Sequence, residues 1–352
     1  MLNQQKTFSE KSNQQSVAII GLGNQGLCHF AAAKRLKEEG SIDSIAVCDI
    51  DQQRLNSCGA DFAFNAIDEL LDTVPCNLAI ITLPNDIHCS TVERALQAGA
   101  HVLKEKPLAI CKNDLDRLLL ASKKFQRRVI VAQQRIFHPT YALAKNWLES
   151  IGNVRLFDYT FCLNDQRNSW YWSAHKGGGC WFGLGWHACW MVQNFLGVIP
   201  RLSLKTLSGK QRAWPYDTDD TCIVHGVTDS GAAIRCLLSV SSPAKKEELI
   251  IEGSNGTIVF TRSHLSRFSA SGELLEQVEN TDKTEDLYTR QLRQALSDVA
   301  IESSGVDALA IEIFKSQMSA LSPKYTRQAP KEKTIQIFLE HNLEQEEIYA
   351  NR

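Results

Sequence analysis

The sequence has almost no excess charge of either sign. Lys and Arg together number 38, and Asp and Glu together number 40, so the formal net charge is −2. Non-specific binding to nucleic acid requires a basic surface that neutralises phosphates. We therefore expect no nucleic-acid partner.

Long hydrophobic runs are also missing. The longest apolar runs, such as residues 17–20 and 78–83, are far shorter than the roughly 20 residues that cross a bilayer. The first fifteen residues are rich in Gln, Ser and Lys and lack the apolar segment of a secretion signal. We expect no membrane partner and a flexible tail over residues 1–15.

The spacing of the cysteines argues against disulfides and against a zinc site. Eleven cysteines are scattered through apolar segments, and no Cys-x-x-Cys pair occurs. A chain of 352 residues can bury a large core without cross-links. Free thiols indicate a reducing compartment, so we expect a cytoplasmic protein. One group of potential ligands lies close in sequence but matches no structural zinc spacing, and we expect no metal: His175, Cys180, His187 and Cys189.

Strands and helices alternate through the first part of the chain. Short apolar runs predict strands at residues 16–21, 44–49, 78–83, 101–104 and 129–132, with helical segments between them. This alternation predicts a doubly wound parallel sheet of the Rossmann type, over residues 16–138.

The pattern changes in the second part of the chain. Long β-prone runs at residues 154–163, 222–228, 232–241 and 249–260 are separated by turn residues, and helices are predicted at 185–196 and 287–300. We therefore predict an α/β protein with a second, α+β domain over residues 139–352, built on a large, open, mostly antiparallel sheet.

A glycine-rich motif follows the first predicted strand. Gly21 permits a tight turn, Gly23 lets the backbone approach a pyrophosphate, and Gly26 allows close packing of helix on strand. Asp49 ends the second strand, where a carboxylate accepts hydrogen bonds from the adenosine ribose. Asp49 favours NAD, although Arg54 keeps NADP possible. The same loop adds two cofactor-binding candidates, Asn24 and Gln25.

Three further motifs follow in a fixed order. Residues 82–88 read TLPNDIH, residues 105–107 read Glu-Lys-Pro, and three glycines at 177–179 precede His187 by eight residues. Together with the glycine-rich loop, this order resembles the Gfo/Idh/MocA oxidoreductases, the family of glucose–fructose oxidoreductase and inositol 2-dehydrogenase. The resemblance extends over nearly the whole chain.

The resemblance implies NAD(P)-dependent hydride transfer at a hydroxyl-bearing carbon of a sugar-, sugar-acid- or cyclitol-like substrate. It gives Lys106 the contact with the reacting hydroxyl and His187 the proton transfer. It also implies a homodimer or homotetramer formed through the second sheet. Further cofactor contacts are expected from five residues of these motifs: Pro84, Asn85, His88, Glu105 and Lys106.

The sequence departs from the family pattern beside His187. The family usually carries Asp four residues before this histidine and again three residues after it, where this chain has Gly183 and Trp190. Losing such an orienting carboxylate can cost orders of magnitude in rate. Three explanations stay open: a substrate carboxylate fills the space above Gly183, Asp165 reaches in, or the chain is a nicotinamide-binding sensor or assembly protein without turnover.

Other candidates for substrate contact come from aromatic and basic residues. Sugars stack on aromatic rings, so Trp170 and Trp172 are candidates for the substrate wall, whereas Trp186 and Trp190 are expected in packing. Arg135 resembles the family's strand-end segment and is a candidate anchor for a carboxylate or hydroxyl.

Overall fold

The structure is a computed structural model that describes residues 15–165, 170–197, 199–208, 216–281, 284–301 and 304–321. Most of the predicted tail at residues 1–15 lies outside these residues, as do residues 322–352.

The first sheet is parallel throughout. Its strands are β1 (Ser16–Ile20), β2 (Ser44–Cys48), β3 (Phe62–Phe64), β4 (Leu78–Ile81), β5 (His101–Lys104), β6 (Arg128–Val131) and β15 (Gly305–Val306). Their order across the sheet is β15-β6-β5-β4-β1-β2-β3. The order reverses between β1 and β4, and ligands of such sheets bind outside the carboxyl ends of the strands at this point.

Helices connect these strands on both faces of the sheet. They are α1 (Asn24–Glu38), α2 (Gln52–Cys58), α3 (Ile67–Thr73), α4 (Asn85–Gln97) and α5 (Lys112–Phe125). The strands read as continuous apolar runs because helices cover both faces, and all four residues of β4 are buried. The predicted Rossmann fold is confirmed.

The second sheet has eight strands in the order β14-β13-β12-β11-β7-β10-β9-β8. They are β7 (Val154–Asn164), β8 (Ser203–Leu207), β9 (Thr221–Val227), β10 (Ala233–Ser239), β11 (Ser241–Gly253), β12 (Gly256–Thr261), β13 (His264–Ser269) and β14 (Leu274–Glu279). Only the β7–β10 pair is parallel among these described strands. The predicted run at 249–260 is two strands, because the chain turns at residues 254–255 and β12 pairs back on β11.

The remaining helices lie between and around the two sheets. They are α6 (Pro139–Trp147), α7 (Gly179–Gly183), α8 (Gly185–Leu196), α9 (Thr284–Val299) and α10 (Ala308–Ala320), with short 3₁₀ turns at Gln134–Phe137, Leu148–Ile151 and Trp170–Trp172. The bounds of α8 coincide with those predicted at 185–196.

The chain returns to the first sheet near its end. Helix α9 packs against α1, and β15 pairs in parallel with β6. Helix α9 and strand β15, which the sequence assigns to the second domain, therefore pack on the Rossmann part of the chain. Their apolar side chains complete its core, where Tyr288 and Leu292 are buried beside Val17 and Ile19.

Candidate active site

The glycine-rich loop leads from β1 into α1. Gly21 has a φ of +97°, and a Cβ on Gly26 would overlap the Gly21 carbonyl oxygen, so both positions require glycine. Helix α1, which is described in full, begins at Asn24 without a side-chain cap or an acidic residue in its first turn. Its free N–H groups and the positive end of its dipole suit a pyrophosphate. The loop therefore fits a dinucleotide cofactor.

Asp49 lies beside this loop at the end of β2. Its Oδ2 accepts a hydrogen bond from the Leu22 N–H at 2.5 Å, and its Oδ1 accepts one from the Asp51 N–H at 2.8 Å. The Arg54 guanidinium lies 3.5 Å from the same carboxylate. Asp49 is thus held beside the glycine-rich loop by backbone N–H groups, with Arg54 next to it, and its contact with the ribose stays a prediction.

Helix α9 supports the glycine-rich loop, a contact that the sequence did not indicate. The Tyr288 hydroxyl donates a hydrogen bond to Gln25 Oε1, and Gln134 Nε2 donates to the Tyr288 oxygen at 3.2 Å. Asn24 and Gln25 are exposed. Gln25 is therefore engaged with the protein, and no local motif around Tyr288 could have revealed this.

Residues 82–84 connect β4 with α4, and residues 85–88 form the first turn of α4. Pro84 precedes the first residue of α4, Asn85, whose Nδ2 donates a hydrogen bond to the Gly177 carbonyl at 3.1 Å. His88 is 3% exposed, and its Nε2 lies 2.5 Å from the Leu83 carbonyl oxygen. The structure therefore places His88 beneath the loop as a support, and does not support the predicted contact with the cofactor.

Glu105 and Lys106 follow β5. Glu105 is buried and lies 3.1 Å from His29 Nε2 of α1. Burial would raise the pKa of Glu105, but the His29 hydrogen bond and the charge of Lys106 outweigh it and lower the pKa. The Lys106 Nζ donates a hydrogen bond to the Gly183 carbonyl at 3.3 Å. Burial lowers the pKa of Lys106, opposed by the charge of Glu105.

Lys104 holds the turn that presents Lys106. This lysine is 1% exposed, and its Nζ donates hydrogen bonds to the carbonyls of Pro107 and Leu108, the latter at 2.8 Å. Burial lowers the pKa of Lys104 to about 7. Sequence reasoning missed this residue, because it reads as the end of an apolar strand.

His187 lies in the first turn of α8 and is 7% exposed. Its Nδ1 has no hydrogen-bond partner among the described residues. Burial and the charges of Arg135 and Lys106 lower the pKa of His187 well below its ordinary value. The imidazole is therefore neutral at pH 7, which is the form that accepts a proton. Lys106 and His187 lie within electrostatic reach of each other, although they come from different parts of the chain.

Arg135 is engaged by an acid that the sequence did not identify. Its guanidinium pairs with Glu247 of β11, donates to the Tyr141 hydroxyl at 2.9 Å and stacks over the Phe161 ring at 4.8 Å. The Tyr159 hydroxyl donates to Glu247 at 2.9 Å. Arg135 thus lies beside the site with its charge already paired, which weakens the prediction that it anchors a substrate carboxylate.

The predicted aromatic wall divides into an exposed and a buried residue. Trp170 is 38% exposed, whereas Trp172 is 2% exposed and packs against Tyr216 with ring centroids 5.8 Å apart. The structure therefore leaves only Trp170 of this pair accessible to a substrate. Trp186 and Trp190 are both buried, as expected for packing.

The structure brings together a group of potential metal ligands that differs from the one considered in the sequence. Among the described residues, one ligand atom each of Cys180, Asp219 and Cys222 lies within 4.8 Å of the others. Asp219 Oδ2 accepts hydrogen bonds from the Trp181 N–H at 2.7 Å and the Cys222 thiol at 3.0 Å. Asp219 therefore stabilises the start of α7. All eleven cysteines lie within the described residues as free thiols.

Two family models match this chain. Residues 15–133 match an oxidoreductase family model with an NAD-binding Rossmann fold, and residues 141–259 match the GFO/IDH/MocA C-terminal domain. The chain belongs to the Gfo/Idh/MocA family. The predicted resemblance and the predicted NAD cofactor are confirmed at the level of the family.

Individual relatives of this Gfo/Idh/MocA protein are distant. Inositol 2-dehydrogenase of Salmonella typhimurium is 30% identical over 139 residues, which are 38% of this chain and 40% of that protein. An uncharacterized oxidoreductase of Synechocystis is 23% identical over 281 residues, which are 73% of this chain and 74% of that protein. The chain spans 40 to 53% of the length of several other curated relatives.

Solved structures support the fold. Levoglucosan dehydrogenase in complex with NADH superposes with a TM-score of 0.75 at 18% identity, covering 87% of this chain and 97% of that chain. At this identity the likeness establishes the architecture alone. No described helix of this Gfo/Idh/MocA protein is both long and apolar enough to cross a membrane.

The position of the missing family aspartate is filled. A Cβ on Gly183 would overlap the Tyr171 hydroxyl oxygen, so the space above Gly183 is not open to a substrate carboxylate. This contradicts the first explanation given for the departure at Gly183. Asp165 lies near enough to contribute, after burial and other acidic groups, to the raised pKa of Tyr171.

Proposed function

We propose that this Gfo/Idh/MocA protein is an NAD-dependent dehydrogenase or reductase. It transfers a hydride between nicotinamide and a hydroxyl-bearing carbon of a sugar-, sugar-acid- or cyclitol-like substrate. The observation that carries the proposal is the convergence of Lys106 and His187. The Lys106 Nζ donates to the Gly183 carbonyl, four residues before His187, and its charge acts on the His187 imidazole.

His187 is the proton acceptor in the oxidative direction. Oxidation of a carbinol requires loss of the hydroxyl proton, and a neutral imidazole in a buried site accepts it. The lowered pKa of His187 keeps the base unprotonated at neutral pH. In the reductive direction the protonated imidazole returns the proton.

Lys106 stabilises the oxygen from which this proton leaves. An ammonium beside a developing alkoxide is worth more in a site shielded from water than at the surface. The Glu105 carboxylate, fixed by His29, opposes the lowering of the Lys106 pKa by burial. Glu105 therefore acts through Lys106 by favouring its charged form.

The cofactor site consists of the glycine-rich loop, Asp49 and the start of α4 at Asn85. When bound, the cofactor would supply a hydride acceptor as NAD⁺ or a hydride donor as NADH. The uncapped start of α1 provides donors for the pyrophosphate, and the Asp49 carboxylate provides acceptors for the ribose. Asp49 repels a 2′-phosphate and favours NAD, and the nearby Arg54 leaves NADP as the alternative.

The substrate class rests on the relatives and on the charges of the site. Inositol 2-dehydrogenase and levoglucosan dehydrogenase are named for polyhydroxylated substrates. The charged groups that shift the pKa of His187 are both cations, Arg135 and Lys106. Arg135 is already paired with Glu247, so Lys106 is the cation that, without a family aspartate at Gly183, suits a sugar acid as well as a neutral sugar.

The second candidate is a nicotinamide-binding sensor or assembly protein. It is favoured by the replacement of both family aspartates, by Gly183 and Trp190. It predicts cofactor binding without hydride transfer to any substrate.

We also propose a homo-oligomer formed through the outer face of the second sheet, in a reducing, cytoplasmic compartment. Exposed apolar side chains lie on neighbouring strands of this sheet, where Leu237 of β10 pairs with Ile223 of β9 and each is 40% exposed. Light scattering coupled to size exclusion, with Ile223→Lys as the test variant, measures the assembly. A monomeric wild type would contradict this part of the proposal.

A Lys106→Met variant tests the dehydrogenase. Wild-type protein is assayed at 340 nm against panels of sugars, inositols and uronates with NAD and NADP. Loss of the ammonium should lower kcat by about 10²- to 10³-fold. Binding of NADH, followed by fluorescence, should change little.

The matched control is Lys112→Met, at an exposed lysine paired with Asp116. It should keep full activity. A Lys106→Met variant as active as this control would refute the assigned role, and a wild type that binds NADH but turns over no substrate would favour the sensor.

A further inference from the structure

Tyr171 is held at both ends by glycines of one segment. A Cβ on Gly177 would overlap the Tyr171 carbonyl oxygen, and a Cβ on Gly183 would overlap the Tyr171 hydroxyl oxygen. The ring also crosses Trp172 edge to face, with centroids 5.4 Å apart. Residues 177–183 are therefore folded around this tyrosine.

The same two glycines accept the hydrogen bonds that join this segment to the Rossmann part of the chain. Asn85 Nδ2 donates to the Gly177 carbonyl at 3.1 Å, and Lys106 Nζ donates to the Gly183 carbonyl at 3.3 Å. Tyr171 thus spans the distance between the two carbonyls that receive Asn85 and Lys106.

We propose that Tyr171 is a positioning residue that fills the space of a side chain at position 183. In this role it fixes the Gly183 carbonyl at the distance from which that carbonyl orients Lys106. The proposal rests on the proposed function, in which Lys106 contacts the reacting hydroxyl. Tyr171 acts through the Gly183 peptide and needs no contact with the substrate.

The phenol differs from a carboxylate at this position in one chemical respect. Burial, followed by the nearby Cys180, Asp219, Cys222 and Asp165, raises the pKa of Tyr171 well above its ordinary value. The hydroxyl therefore stays neutral and adds no negative charge at position 183. In such a site packing orients Lys106, and no anion at position 183 raises the pKa of His187.

The first experiment is a stability cycle that does not depend on activity. Gly183→Ala in the wild-type background forces a Cβ into the Tyr171 hydroxyl and should lower Tm by about 5 °C. In a Tyr171→Leu background the hydroxyl and the outer ring atoms are gone, and Gly183→Ala should cost little. Additive effects of the two substitutions would overturn the proposed packing of Tyr171 on Gly183.

The second experiment measures orientation of Lys106. Tyr171→Phe keeps the ring and removes the hydroxyl, and it should lower kcat by about 10- to 100-fold with little change in the Kd of NADH. The control is Tyr216→Phe, which removes a half-buried hydroxyl bonded to Asp220 at 2.6 Å and should leave kcat within about twofold. A Tyr171→Phe variant as active as this control would overturn the positioning role.

The third experiment restores a carboxylate. The double variant Gly183→Asp with Tyr171→Leu places an anion at position 183, whose carbonyl accepts the Lys106 hydrogen bond. The titrating and charged groups that face His187 are Lys106, from the turn after β5, and Arg135, which is itself paired with Glu247 of β11. The anion should move the acidic limb of kcat/KM to higher pH by about 1 unit or more. If the acidic limb of the kcat/KM profile stayed at the same pH, position 183 would not face these groups.

If the wild type turned over no substrate, the proposed function would fail. The positioning role of Tyr171 could still be tested. The pKa of Lys106 is then followed by NMR of lysine-labelled protein loaded with NADH. Tyr171→Phe should lower this pKa, because the ammonium loses a well-placed carbonyl, whereas Tyr216→Phe should not. Equal Lys106 pKa values in both variants would overturn the proposal.

Discussion

The pair formed by Arg135 and Glu247 gives a sharp prediction of stability. The two side chains are 17% and 9% exposed, and Glu247 also accepts hydrogen bonds from two tyrosine hydroxyls, those of Tyr159 and Tyr141. Removing one partner of a buried ion pair costs about 3 to 5 kcal/mol, because the other charge is left without compensation. Arg135 keeps the Tyr141 hydroxyl and the Phe161 ring, so we expect Glu247→Gln to cost about 3 kcal/mol.

The neighbouring residue provides the control. Glu248 lies on the same strand and pairs with Lys246 at 3.0 Å, with 32% and 54% of the two side chains exposed. A pair with this exposure contributes about 0 to 1 kcal/mol. Urea unfolding of the wild type, Glu247→Gln and Glu248→Gln measures the difference. Equal decreases in the free energy of unfolding of the two variants would refute the conclusion that burial makes the Glu247 pair important for stability.

The pH dependence of the same pair follows from its pKa shift. Burial would raise the pKa of Glu247, but the charge of Arg135 and the hydrogen bonds from Arg135, Tyr159 and Tyr141 outweigh it and lower the pKa below the ordinary 4.5. A carboxyl whose pKa is lower in the folded state stabilises that state above the unfolded pKa. The free energy of unfolding should therefore differ most between wild type and Glu247→Gln above about pH 5. This difference should shrink as the pH falls below 4.5.

Three further predictions concern the cofactor and the base. Gly26→Ala should abolish NADH binding, because the new Cβ overlaps the Gly21 carbonyl, whereas Gly40→Asn, at an open left-handed position, should retain it; calorimetry measures both. The acidic limb of kcat/KM should lie below pH 6.5, because burial and the two neighbouring cations lower the pKa of His187; a limb above 6.5 would contradict the assignment of this base. Asp49→Asn should narrow the preference for NAD over NADP by at least about tenfold in the ratio of Kd values, and an unchanged ratio would contradict the ribose contact.

The cofactor loop could be predicted from sequence because its requirements are local. Gly21, Gly23 and Gly26 are set by one turn, and the apolar run before them forms the strand that the pattern predicts. Asp49 follows from its distance along the chain to this loop. Lys106 and His187 were found through short motifs, and the structure brings them to the same region.

The contacts that tune the site were not predictable, because their partners are far apart in the chain. Glu247 meets Arg135 across 112 residues, and Tyr288 meets Gln25 across 263. Lys104 and His88 read as ordinary positions of a strand and a helix, yet burial makes them supports for the turns on either side. No local periodicity distinguishes such residues from the rest of the core.

The amino-acid sequence by itself determined the alternation of strands and helices, the dinucleotide loop and the family, because turns, helix starts and apolar periodicity depend on neighbours within a few residues. Only the tertiary structure decided what stands above Gly183. The sequence shows a missing carboxylate there, whereas the fold brings the hydroxyl of Tyr171, twelve residues earlier, into the same volume. Close packing allows one group to occupy that volume, and which group does so depends on how the whole segment folds.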